Sequence, residues 1–216
     1  MQITKEQNQT LSDVCYLINQ MLYAYKFHPR INNLIFLYEN GYTQNNYHRL
    51  TPDEIRFLKN ANLETFLSSF RNLLDFFHRP IHASKAKSDD TRAFPDFAFP
   101  QKPLISNADD HFRKVSKHLS HLTSVRKTRV QNLEWNLNEI IEGSKEVLIE
   151  FMKHCLTRYQ GIDAITKDSI DGIINYLSSI GSNEHFIAHL HASASPMMLH
   201  SYTAVTAPTH SPQKTM

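Results

Sequence analysis

Thr51-Pro52-Asp53-Glu54 is a helix start that few other backbone conformations accommodate. A hydroxyl stands at the N-cap, proline occupies the first helical position where its missing N–H costs nothing, and a glutamate is spaced to reach back to the cap. Apolar residues then recur at three and four positions through Leu63, Phe66, Leu67, Phe70, Leu74 and Phe77. The spacing predicts one helix over 51–78, with a weak point at Asn60-Ala61-Asn62 and an end at Arg79-Pro80. At 1.5 Å per residue it is roughly 40 Å long, as long as a small domain is wide, so it must be the element around which other helices pack.

The rest of the chain offers those helices. Strand-like alternation is nearly absent and there are only 5 glycines to interrupt helical runs. Val14, Leu17, Ile18, Met21 and Leu22 form one face of a first helix from Leu11 that ends near His28, before Pro29; Ile31, Leu34, Ile35 and Leu37 mark a second over 30–39, stopped by Asn40-Gly41. A polar loop leads to the capped helix. Residues 79–103 carry Pro80, Pro95, Pro100 and Pro103 and form a long loop, part of which Phe94, Phe97 and Phe99 are expected to pack down. Further helices follow over 108–122, 135–158, where Gly143 weakens the middle, and 166–180. The expected fold is all-α, a single bundle of about six helices over 1–190, with a flexible tail over 191–216.

Composition narrows the function classes. No apolar run approaches the ~20 residues that cross a bilayer, so no membrane partner is expected. Twenty-three basic against 21 acidic side chains leave a charge of +2, too little for the broad cationic face of a duplex-DNA binder. Histidine is the outlier at 13, enough to make acid conditions matter. Cys15 and Cys155 lie in helical apolar patterns with no ligand spacing, and the start MQITKEQNQT has no apolar leader, so a reducing cytoplasm is the expected compartment. His154 beside Cys155 points about 100° away on a helix, which favours two plain buried thiols.

Two polar stripes carry the candidate chemistry. Arg71, Asp75 and His78 share one side of the capped helix and can present a cation, an orienting carboxylate and a proton shuttle. The simpler reading is an Arg71–Asp75 ion pair and a histidine favoured by the helix C-terminus. His111, Lys114, His118 and His121 form the second stripe, opposite Phe112, Val115, Leu119 and Leu122. His118 and His121 bind a metal only if a third ligand such as Asp89 or Asp90 joins them; the favoured alternatives are a solvated His/Lys face or phosphate chemistry. Walker, GxSxG, HExxH and GxGxxG motifs are all missing.

Between Leu63 and about Cys155 the chain resembles a group of bacterial helical proteins. The residues that carry the resemblance are Arg71-Asn72-Leu73-Leu74-Asp75-Phe76-Phe77, Asp89-Asp90, His121-Leu122-Thr123-Ser124-Val125-Arg126 and Trp135. That group is similar to the HEPN superfamily of helical proteins, many of them metal-independent ribonucleases of toxin-antitoxin and phage-defence systems, marked by Arg, four to six residues, then His. Arg71 to His78 and Arg113 to His118 both fit; such spacing arises by chance about twice at this histidine density, and the Arg71-Asn72 start singles out the first. Phe76 stands where the compact Arg-Asn-x-x-x-His form has histidine. The resemblance implies an endoribonuclease in which a ribose 2′-hydroxyl attacks its own phosphate. His78 or His121 takes the proton, Arg71 neutralises the phosphate, Asn72, Lys114, His118 and Arg126 hold the RNA, and neither metal nor cofactor takes part. The alternative is a non-catalytic helical module that binds RNA or a protein, or forms a homodimer through apolar surface.

Overall fold

The structure, a computed structural model, describes residues 1–39, 50–78, 92–94, 96–120, 134–181 and 187–189. The Asn40-Gly41 stop, the 79–91 part of the long loop, His121, Arg126 and the expected tail lie outside the described residues. The fold is all-α, with five helices among the described residues: α1 (Lys5–Glu39), α2 (Pro52–His78), α3 (Ala108–Ser120), α4 (Leu137–Arg158) and α5 (Ala164–Ser179). Two three-residue strands, β1 (Glu134–Asn136) and β2 (Ile187–His189), pair antiparallel with Trp135 opposite Ala188.

The two helices expected before residue 40 are one. Helix α1 runs through Pro29, and it starts at Lys5 rather than Leu11 because Thr4 and Gln7 form a reciprocal cap, Gln7 N–H donating to Thr4 Oγ1 (3.1 Å) and Thr4 N–H to Gln7 Oε1 (3.0 Å). An interior proline costs about 3 kcal/mol. Packing offsets it: His28 and Ile31 on either side are buried, and α1 lies along α2. Asn62, in the expected weak point of α2, donates to the Ala24 carbonyl of α1 (2.8 Å), so α2 is unbroken. The Thr51 cap forms as its spacing predicts, with Thr51 N–H donating to Glu54 (2.6 Å) and Glu54 N–H to Thr51 Oγ1 (3.2 Å).

Helix α4 begins two residues later than expected. Asn136 caps it by accepting from Glu139 N–H (3.1 Å), which leaves Trp135 in β1. The core unites all five helices with the described part of the long loop, from which Ala93, Phe97 and Phe99 are buried, and with Leu104 and Ile105 just after it; Phe94, expected to pack, is exposed. Gly143 has a purpose here, since a Cβ there would lie 2.7 Å from the Ile105 side chain.

Tyr25 of α1 donates to Asn138 Oδ1 of α4 (2.9 Å) inside the core. Tyr25→Phe leaves that oxygen buried without this donor and is expected to lower stability by about 1–3 kcal/mol, read as an earlier urea midpoint at unchanged slope. An unchanged midpoint would show that the bond contributes nothing.

Asp163 caps α5, accepting from Thr166 N–H (2.9 Å), Thr166 Oγ1 (2.8 Å) and Asn8 Nδ2 (2.6 Å) of α1. The backbone N–H of Thr166 first, then these side-chain donors, hold its carboxyl down to about 2 from 3.8. A depressed folded value stabilises the fold above the unfolded value and is lost as pH falls from about 4 to about 2. Asp163→Asn is therefore expected to flatten the melting temperature against pH in that window; an unaltered profile counts against the cap as an acid-sensitive link.

Candidate functional site

Helix α3 is short and strongly two-sided. Asp109 and Asp110 in its first turn and Lys117 and His118 in its last suit the helix dipole, and Val115 enters the core. It lies on α2, and two neighbouring aromatic contacts fix the seam. The Phe70 and His111 rings meet edge to face at 5.8 Å, and the Arg71 guanidinium carbon lies 5.6 Å from the centre of the Phe112 ring.

Arg71 is half-buried. No ion pair or hydrogen bond of Arg71 with a carboxylate occurs among the described residues, so Arg71 and Asp75 do not form the pair that their i, i+4 spacing allows. Its Nε is shielded from water and has no acceptor. A charged donor desolvated in this way is costly, by more than the roughly 1–3 kcal/mol of a neutral one, and calls for an explanation. Contact with Phe112 offsets part of that cost through the ring quadrupole but supplies no hydrogen-bond acceptor.

Asn72, beside Arg71, is exposed. Lys114 reaches over Trp135, its Nζ 4.3 Å from the ring centre. His118 is buried with its ring edge to face with Trp135 at 5.6 Å, so it belongs to the packing of β1 against α3 rather than to the accessible face. The second Arg-to-His spacing separates: Arg113 pairs with Asp110 in solvent while His118 points inward. Of the catalytic candidates, His78 closes α2 and its side chain is not among those described, and His121 lies outside the described residues, as does Arg126.

One residue of the seam stood in the second stripe without being singled out. His111 is half-buried, and burial pushes its imidazole below the ordinary histidine value, assisted by Lys114 and opposed by Glu139 and Asp110. Burial thus favours its neutral form, which can accept a proton. The sequence signal for it was its place one residue before Phe112, the ring on which Arg71 rests.

His154, next to Cys155, approaches the Phe97 carbonyl at 3.0 Å, while both thiols are buried, unpaired and pushed by burial to about 12, so no activated Cys/His pair exists. Among the described residues no group of three His, Cys, Asp or Glu side chains is placed to hold a metal, and no helix is long and apolar enough to cross a membrane. Comparison with protein-family models, curated proteins and solved structures finds no match to the chain.

Proposed function

We propose that the chain is a HEPN-like helical protein that binds RNA at the α2–α3 seam, with the Arg71 guanidinium on a backbone phosphate. The observation that carries this reading is the unpaired, partly desolvated Arg71 resting on Phe112. A phosphate would meet the solvent-facing part of this half-buried guanidinium rather than the shielded Nε, and a guanidinium held against an aromatic ring is preorganised for the planar, charge-assisted bonds that phosphate makes. Exposed Asn72 flanks it, and the basic run containing Arg126, Lys127 and Arg129 follows α3 in the chain. Low net charge fits single-stranded RNA, held locally by a few cations and ring faces, better than a duplex. Two unpaired thiols suit a reducing cytoplasm.

A second reading, metal-independent endoribonuclease, is favoured by the neutral imidazole of His111 on the same seam. In it the 2′-hydroxyl gives its proton to an imidazole, His111, His78 or His121, and attacks the adjacent phosphorus. The 5′-oxygen leaves with a proton, and a 2′,3′-cyclic phosphate remains. Incubating end-labelled single-stranded RNA with the protein, with and without EDTA, beside Arg71→Ala, His111→Ala and His121→Ala, separates the two. EDTA-resistant cleavage lost in Arg71→Ala and in a histidine variant makes the protein an enzyme at this site. Retention without cleavage, weakened in Arg71→Ala, makes it a binding module. Neither retention nor cleavage overturns both.

A further inference from the structure

Of the apolar side chains of α1 that stay in solvent, Phe36 (60% exposed) falls on the core-facing side of the helix, and four others line up: Tyr16 is 63% exposed, Tyr23 69%, Phe27 47% and Leu34 41%. At 3.6 residues per turn they fall within about 20° of a single line along the helix, on the side opposite Val14, Ile18, Met21 and Tyr25, which enter the core. Scattered exposed apolar residues need no explanation, but a continuous stripe does.

The spacing of this stripe has a symmetry. Tyr16 and Leu34 are equidistant from Tyr25, and so are Tyr23 and Phe27. Two copies of α1 placed antiparallel about a two-fold axis at that position therefore set Tyr16 against Leu34 and Tyr23 against Phe27, twice each. A two-fold interface requires this self-complementarity, because the same patch must serve both partners. Charge agrees with the register: Arg30 meets Gln20, and no like charges oppose along the stripe.

Beside the stripe, Asn19, Leu22, Tyr23 and Lys26 of α1 and Gly172, Ile173 and Tyr176 of α5 line a groove of about 230 Å³. A Cβ at Gly172 would meet nothing within 4 Å, so the floor is open, and the groove exceeds the roughly 150 Å³ that holds a benzene ring. In the antiparallel register the ring facing Tyr23 is the other copy's Phe27. With 150–250 Å² per aromatic side chain, the stripe exposes on the order of 400 Å² of apolar surface. A standard interface covers about 800 Å² per partner, of which roughly 450 Å² is apolar, so the stripe is close to what a stable dimer needs.

We propose that a second copy of this chain docks on the α1 stripe in a two-fold antiparallel pairing centred on Tyr25, each Phe27 entering the other's α1–α5 groove. This pairing is independent of the RNA reading, which uses α2 and α3.

Analytical ultracentrifugation of the full chain tests it, with expected mass about twice 25.1 kDa and a shift to the single-chain mass in Phe27→Glu and Tyr23→Glu. Persistent dimer in both variants, or single-chain mass for the unaltered protein at about 100 μM, overturns the proposal. The register is tested with a short bismaleimide on Tyr16→Cys and Leu34→Cys proteins; Cys15 and Cys155 are buried and stay silent. The mixture is expected to cross-link and either variant alone not, since like positions lie roughly 27 Å apart along the paired helices. Cross-linking of each variant with itself at the level of the mixture overturns the antiparallel register.

Discussion

Phe151→Ala is expected to destabilise the protein by about 3–5 kcal/mol, the largest loss from any single truncation considered for this fold. Phe151 is fully buried on α4, and four rings surround it edge-on: Phe76 at 5.4 Å and Phe77 at 5.2 Å from α2, and Phe97 at 5.5 Å and Phe99 at 5.3 Å from the long loop. Alanine removes the transfer free energy of the ring, leaves a cavity that four rigid neighbours cannot collapse into, and cancels the edge-to-face contacts. Against a typical total of about 5–15 kcal/mol the loss is severe, and for a chain of this length it corresponds to a fall of roughly 10 °C in melting temperature. A calorimetric scan that shows a fall of under about 2 °C would mean that the aromatic cluster does not hold α2, α4 and the loop together. Phe151→Leu, which keeps most of the volume, is expected to fall between the two.

That cluster was only half legible in the sequence. Phe77 and Phe151 belong to apolar helical stripes, which 3.6-residue periodicity identifies without knowledge of the fold, whereas Phe76 stands outside the stripe of its helix and is marked in the sequence only as the residue in the place of a motif histidine. Phe97 and Phe99 sit in a proline-rich loop with no periodicity, where composition signals that something packs but not which ring; Phe94 fits the same pattern and lies in solvent. Pro29 misled for a related reason. Local rules end a helix there, while the stabilisation that carries α1 through it comes from α2, which is distant in sequence. Caps were the opposite case. Thr51 and Glu54 are three residues apart and their bonds are local, so their spacing was sufficient.

The site divides along the same line. Helical spacing placed Arg71 and Asp75 one turn apart, but whether they pair depends on what else each faces, and Arg71 is turned to Phe112 of α3. His118 and Lys114 shared a stripe in the sequence. The structure separates them by depth, because Trp135 covers the imidazole of His118 and carries the ammonium of Lys114 on its face. Neither contact has a sequence signal, since Trp135 lies in β1, beyond the end of α3, and meets it only in the folded chain.

Arg71→Ala is expected to weaken binding of single-stranded RNA by about 10- to 100-fold, the equivalent of one hydrogen-bonded charge at roughly 1.5–3 kcal/mol. Arg71→Lys keeps the charge but loses the forked donor geometry of the guanidinium, and is expected to recover only part of the loss. Because a phosphate contact carries no sequence information, the loss should be uniform across unrelated RNA sequences. The most direct measurement is the salt dependence of binding, by fluorescence anisotropy from low to physiological salt. If Arg71 neutralises one backbone phosphate, the slope of log affinity against log salt becomes shallower by about 0.7 in Arg71→Ala. An unchanged slope with unchanged affinity would contradict the assignment of the α2–α3 seam as the RNA contact.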